Sequence, residues 1–191
     1  MKALILNGAR TTDTDTDRFQ AVLADELKER QWEVEAVLLR EVRVTHCVGC
    51  FDCWIKTPGV CRFKDAGRWI AESFIQSDLA VFVTPVTFGG YSSELKKALD
   101  RAICLISPHF MKIKGEVHHK PRYSRYPRLL AFGLREQPRE DSDAIFVQLV
   151  GRNALNLHTP AHHAALVQSR LDPNDFKQLI HSSMQALENA P

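Results

Sequence analysis

Four of the five cysteines in this 191-residue chain fall between Cys47 and Cys61, three of them at three-residue intervals (Cys47, Cys50, Cys53) and the fourth eight residues further on. Thiolates are soft ligands, and four that converge can hold an iron–sulfur cluster. A fold-back at Pro58-Gly59 would return Cys61 to the other three. Zinc is less natural, because a four-cysteine zinc site ordinarily draws on two separated C-x2-C pairs and only one compact run is present. The same run also suits a reduced loop whose thiols pack beside Phe51 and Trp54. Cys104, inside a helical pattern from Leu95 to Ile106, reads as a small buried hydrophobe.

Two further segments carry chemistry. Thr84-Pro85-Val86-Thr87-Phe88-Gly89-Gly90-Tyr91 combines two glycines, which allow close backbone approach, with the flat apolar faces of Phe88 and Tyr91. Such a loop can grip a planar aromatic ring and aim backbone amides at its polar edge. It can also be a plain strand-to-helix connection capped by Ser92 or Ser93, and the two uses are compatible. The second segment, from Asn7 to Arg18, holds Arg10 and the hydroxyls of Thr11, Thr12, Thr14 and Thr16 before a helix start, where an anion such as a phosphate is favoured. Asp13, Asp15 and Asp17 repel a phosphate unless they point away or pair with Arg10 and Arg18, and any of the last few polar residues can simply cap the helix.

The elements that must position these loops alternate between apolar runs and amphipathic ones, which marks βα units. Ala3–Leu6 and Leu79–Val83 are continuously apolar, as central parallel strands are. Val34–Leu39 alternates with Glu33 and Glu35 and reads as an edge strand. Leu129–Phe132 and Ala154–Leu157 are the expected fourth and fifth strands, with Asp141–Val150 as the helix between them. The last helix is capped by Asp172 with Pro173 in its first turn. The expectation is one α/β domain over residues 1–191: a doubly wound, five-stranded parallel sheet in three α/β/α layers, binding its ligand beyond the carboxyl ends of the strands. A basic loop at about 107–128 (Lys112, Lys114, Lys120, Arg122, Arg125 and Arg128) reads as a lid or arm that attracts anions, or as a solvated edge. His109, His118, His119, His162 and His163 lack paired spacing and read as surface imidazoles rather than metal ligands.

A composition of 45% hydrophobic and 25% charged residues with a net charge of +2 is that of a globular chain and singles out neither nucleic acid nor membrane as a partner. The opening apolar run stops at Asn7-Gly8, short of a signal or membrane segment, so a cytoplasmic protein with reduced thiols is expected.

The chain resembles the NADPH-dependent FMN reductase family, and within it the iron–sulfur flavoprotein branch. The resemblance rests on Asn7-Gly8-Ala9-Arg10, the Cys47/Cys50/Cys53 run, Pro58-Gly59-Val60-Cys61 leading to Asp65, Asp78, and the stretch from Thr84-Pro85 to Leu95-Lys96 closed by Asp100-Arg101. It implies a flavodoxin-like fold with one non-covalent FMN, its phosphate on Arg10 and the Thr11–Thr16 hydroxyls and its ring against Pro85, Val86, Thr87, Phe88, Gly89 and Gly90. It also implies NADPH or NADH as reductant, a small acceptor such as a quinone or free flavin, and homodimers or homotetramers. No side-chain acid or base is then required, because the flavin carries the chemistry. The alternative is an electron-transfer flavoprotein with protein redox partners and a 4Fe-4S cluster on Cys47, Cys50, Cys53 and Cys61.

Overall fold

The computed structural model describes residues 1–11 and 14–190. In chain order its elements are β1 (Lys2–Asn7), α1 (Thr14–Glu29), β2 (Glu33–Leu38), α2 (Asp52–Ile55), α3 (Ala66–Gln76), β3 (Leu79–Pro85), α4 (Ser93–Arg101), β4 (Ile106–Ile113), β5 (Glu116–Pro121), β6 (Arg128–Arg135), α5 (Glu140–Asn156), β7 (His162–Gln168) and α6 (Pro173–Glu188). Five strands form one parallel sheet in the order β2-β1-β3-β6-β7. This is the flavodoxin order, with its switch point between β1 and β3.

Because side chains alternate across a strand, the apolar runs serve both faces. Leu79, Val81 and Val83 of β3 pack with Phe19, Leu23 and Leu27 of α1 and Phe176, Ile180 and Leu187 of α6. Ala80 and Phe82 pack with residues of α3, α4 and α5 on the opposite face. Each fully buried side chain of this size contributes about 1.5–3 kcal/mol, which makes the central strands the rigid floor of the ligand-binding edge. Edge strand β2 is partly exposed, as its alternation predicts. Asp172 caps α6 through the amides of Asn174 and Asp175, and Ser92 caps α4 by accepting from Leu95 N. Among the described residues no helix is long and apolar enough to cross a membrane.

Two expectations are corrected. Ala154–Leu157 is not the fifth strand. Phe146, Val150 and Ala154 recur every fourth residue on one buried face, so α5 runs on to Asn156. The strand is His162–Gln168, and His162 and His163 begin it rather than end it. The basic segment is likewise not a free loop but the antiparallel hairpin β4–β5, turning at Lys114 and Gly115 with φ of 50° and 86°. Positive φ at both central residues suits the twist of a two-residue hairpin turn. His118 is held between Glu116 (2.9 Å) and Asn156 (3.0 Å), while Arg152 of α5 pairs with Glu116 at 2.8 Å. Two of its cations serve the fold: Arg122 donates to the carbonyls of Cys104 and Ile106, and Arg125 pairs with Asp78.

Candidate functional site

The carboxyl ends of β1, β3 and β6 open into the region where a doubly wound sheet binds its ligand. After β1, Asn7 Oδ1 accepts from Ala9 N (2.8 Å) and Asn7 Nδ2 donates to Asp17 (2.9 Å), which shapes the first turn of the loop. Gly8 is obligatory there: a Cβ would lie 2.7 Å from Ser92 Oγ and 2.9 Å from Leu95 Cβ. Asp17 takes a two-pronged ion pair from Arg40 (2.9 and 3.0 Å), and Asp15 pairs with Arg18 at 3.4 Å. Two of the three aspartates are thus neutralised, Asp17 by a residue distant in sequence rather than by Arg10. Arg10 and Thr11 are exposed, whereas Thr16 is buried in α1. Thr12 lies outside the described residues, as does the side chain of Thr14, so those two phosphate-binding assignments find no description here.

After β3 the chain makes one tight turn. Val86 N donates to Leu134 O, and Thr87 and Gly90 exchange both backbone hydrogen bonds (2.9 and 2.8 Å). The two residues between them have φ of 50° (Phe88) and 76° (Gly89). Gly90 N–H is therefore engaged within the turn and is not a donor to a ring. Phe88 combines two anomalies: it is a bulky residue in the left-handed region, and it is 99% exposed. Such strain, kept without any burial to stabilise it, points to use by a ligand or partner. Replacing Phe88 with Gly should leave the FMN-free protein unchanged or up to about 1 kcal/mol more stable, because relief of left-handed strain outweighs glycine's added chain entropy. FMN affinity should fall several-fold in the same variant. A stability loss above about 1 kcal/mol in chemical denaturation would mark Phe88 as a structural residue instead.

Tyr91 does not offer its face to the cleft. It is buried edge-on against Phe82 and Phe146, and its hydroxyl accepts from Asn153 Nδ2 at 3.1 Å. Burial, only partly offset by that hydrogen bond, pushes its phenol up to about 12. Neutral packing residues beneath the turn, not a stacking surface, are what the aromatic core requires at this position.

Facing the turn across an open cleft of ≈ 520 Å³, whose near wall is Val86, Thr87 and Phe88, are Arg135, Glu136, Gln137, Arg139, Ser142 and Asp143. Arg135 Nε lies 2.9 Å from Asp143 Oδ1, but off the line that a hydrogen bond needs. Arg135 Nε and Nη1 and Asp143 Oδ1 are all buried without a hydrogen-bond partner. Buried polar atoms are ordinarily satisfied, so the pair leaves hydrogen-bonding capacity open at this cleft. Sequence reasoning missed Arg135. The signal was its place at the carboxyl end of the fourth sheet strand, where the same rule that singled out the first and third loops applies.

The cysteines form a second centre. All five are free thiols. The chain turns back over Thr57–Val60, with Gly59 at φ 86° donating to Cys53 O (3.0 Å). Cys47, Cys50, Cys53 and Cys61 consequently line one small cavity of ≈ 30 Å³ with Phe51, Phe63, Arg101 and Ile103. Burial, and then the neighbouring thiols of Cys61, Cys47 and Cys50, push Cys53 up. As placed, no group of three or more His, Cys, Asp or Glu among the described residues is arranged to hold a metal ion. The four cavity-lining cysteines are nevertheless a donor set of the kind that can hold an iron–sulfur cluster, four thiols with no carboxylate among them. Cys104 is apart from this cavity; burial first, then Cys53 and Cys61, push its thiol up to about 12.

Both ends of the cysteine segment are tied by a buried ion pair. Arg101 gives two prongs to Asp65 (3.0 and 2.9 Å) and donates to the carbonyls of Thr45 and Phe63. Asp65 also accepts from Thr45 N and caps α3 through Gly67 N. Burial works against the Asp65 carboxylate, yet the hydrogen bonds from Arg101 and Thr45 outweigh it and hold the group well below the usual carboxylate range. From the cavity wall outward, Phe51 stacks on Trp54 (5.1 Å), Trp54 meets His119 (4.8 Å) and His119 meets Phe110 (4.6 Å), so the hairpin β4–β5 is docked on the cysteine segment.

The chain is 30% identical over 102 residues to an iron–sulfur flavoprotein of Archaeoglobus fulgidus, an overlap of 53% of this chain and 49% of the relative. The chain thus spans about half the length of the curated relative it matches. Among solved structures, an NAD(P)H:quinone oxidoreductase from Methanothermobacter marburgensis superposes with a TM-score of 0.71 at 12% identity, covering 99% of this chain and 98% of that one. An FMN-dependent NADH-azoreductase from Bacillus anthracis in complex with FMN gives 0.66 at 14% identity, covering 98% and 100%. These likenesses show the shared fold. The model of NADPH-dependent FMN reductases matches residues 1–123, and with that match and the sheet order the chain belongs to the NADPH-dependent FMN reductase family.

Proposed function

We propose that this chain is an FMN-dependent oxidoreductase that takes electrons from NADPH or NADH and passes them to a small acceptor such as a quinone or free flavin. The observation that carries this reading is the cleft between the strained, exposed turn at Phe88-Gly89 and the unsatisfied Arg135–Asp143 pair. FMN, when bound, supplies hydride and single-electron transfer. Arg10, Thr11 and the start of α1 would hold its phosphate, and the helix dipole would assist. The amides of Phe88 and Gly89 would stand at the ring's edge, where donors stabilise the charge that grows on reduction. The Phe88 side chain would close the mouth of the cleft against water. Phe88, Ile145 and Val147 are exposed apolar residues, and they support assembly as a homodimer or homotetramer.

Anaerobic addition of NADPH to purified protein tests the reading: flavin absorbance should be present and should bleach rapidly. A protein with no flavin and no measurable affinity for FMN overturns it.

A second reading, an electron carrier using FMN and a 4Fe-4S cluster with a redox protein as partner, is supported by the convergence of four thiols on one cavity. Here NADPH and NADH should both leave the flavin oxidised while a reduced ferredoxin bleaches it. Iron and sulfide content separates the cluster from the donor question. Substituting Ser at Cys47, Cys50, Cys53 or Cys61 should remove most of the bound iron, and Cys104→Ser should retain it. An iron-free wild type after anaerobic preparation sinks the cluster.

A further inference from the structure

We propose that Arg135 and Asp143 together read the imide edge of the bound flavin ring, Arg135 donating to a ring carbonyl and Asp143 accepting from the adjacent N3–H. The inference rests on the FMN reading above and goes beyond it by assigning the ring's polar edge to two side chains rather than to backbone amides.

Three observations lead there. The pair stands in the same cleft as Val86, Thr87 and Phe88, across from the turn proposed to meet the ring. Its atoms are buried yet unmatched: Arg135 Nε and Nη1 and Asp143 Oδ1 have no hydrogen-bond partner, although the two charges are only 2.9 Å apart. The polar groups left open are a donor beside an acceptor. An imide presents the complement, a carbonyl oxygen beside an N–H, so one planar edge satisfies both residues at once. A bare anion would satisfy Arg135 and be repelled by Asp143, which disfavours a phosphate at this spot.

Both residues are held from behind. The carbonyl of Arg135 accepts from Ser169 N (2.8 Å) and Asp143 N donates to Arg139 O (2.8 Å), so neither backbone needs to move for the side chains to turn toward a ring. The charges also have a consequence for selectivity. Because Asp143 can only accept when ionised, a flavin methylated at N3 presents it with a methyl group instead of a proton.

The test measures affinity of the flavin-free protein for FMN and for 3-methyl-FMN by quenching of flavin fluorescence. Wild type should bind 3-methyl-FMN at least tenfold more weakly than FMN. Asp143→Ala should lose that discrimination, bringing the two within about twofold by weakening FMN alone, and Arg135→Gln should weaken both flavins about tenfold. Arg135→Lys and Asp143→Asn keep a donor and an acceptor respectively and should recover most of the affinity, which a purely structural role at these sites would not produce. Circular dichroism of each variant identifies any that fails to fold, and the 3-methyl-FMN comparison on wild type needs no variant. Equal affinity of wild type for FMN and 3-methyl-FMN overturns the proposal. So does unchanged FMN affinity in Arg135→Gln with a raised KM for NADPH, which would give the pair to the nicotinamide carboxamide. A wild type that binds neither flavin overturns the FMN reading itself.

Discussion

Arg101→Ala should lower the stability of the protein by about 3–5 kcal/mol, the cost of leaving a buried charge without its partner. Chemical denaturation followed by circular dichroism measures this directly. Arg101 is 2% exposed and holds four acceptors on both sides of the cysteine segment: Asp65 Oδ1 and Oδ2 and the carbonyls of Thr45 and Phe63. Its removal strands the Asp65 carboxylate and two carbonyls together. Asp65→Ala should be comparable, since it also removes the cap of α3, a further loss of about 1 kcal/mol. A loss below about 1 kcal/mol in both variants would mean that the pair is not the staple its burial indicates. The pH dependence has a definite sign. The folded carboxyl of Asp65 is held below its ordinary value, so its contribution is fully present well above the unfolded pKa of about 3.9 and is lost progressively as pH falls from there through the lower folded value. The wild type should therefore keep the whole contribution above about pH 5 and lose it steadily below about pH 4, and Asp65→Asn should flatten the stability profile over that lower range.

The second large effect is expected at Gly89→Val. A side chain there obstructs the protein before it obstructs any ring: its Cβ would sit 2.8 Å from Ile145 Cγ2 and 3.2 Å from Ser142 O in α5. The φ of 76° adds backbone strain for a β-branched residue. Overpacking and left-handed strain each cost about 1–3 kcal/mol, so the FMN-free variant should lose at least about 2 kcal/mol. Loss of FMN in this variant would then say little about the ring. Gly90→Ala is the control, because its Cβ meets only Thr87 O at an ordinary 3.4 Å and its N–H stays engaged within the turn. Stability within about 0.5 kcal/mol of wild type is the expected result. A loss as large as that of Gly89→Val would show that neither the Ile145 contact nor the positive φ is its cause.

What can be read from single residues and short periods came through intact. The β1 and β3 runs are apolar at every position and had to be central strands. Asp172-Pro173 starts α6 and Ser92 caps α4 because capping is decided within one helical turn. Pro58-Gly59 returns Cys61 to the other thiols because Gly59 accepts the positive φ that the turn needs.

The errors share a cause, which is that the deciding partner is remote. Ala154–Leu157 is apolar enough for a strand, and only its packing through Phe146, Val150 and Ala154 makes it helix. The charges of Arg122 and Arg125 say anion, until the carbonyls of Cys104 and Ile106 and the carboxylate of Asp78 are brought beside them. Tyr91 looks like a stacking face, but it is packed edge-on against Phe82 and Phe146 in the core.

By itself, then, the sequence determined the sheet's central strands, the helix caps, the turn that gathers the cysteines and the loop that faces the cleft, all of them set by local propensity and spacing. Only the tertiary structure decided that Arg40 neutralises Asp17, that Arg101 closes the cysteine segment through Asp65, and that Arg135 meets Asp143 in the cleft, because pairs of charges separated by 8 to 36 residues have no local signature and are selected by burial.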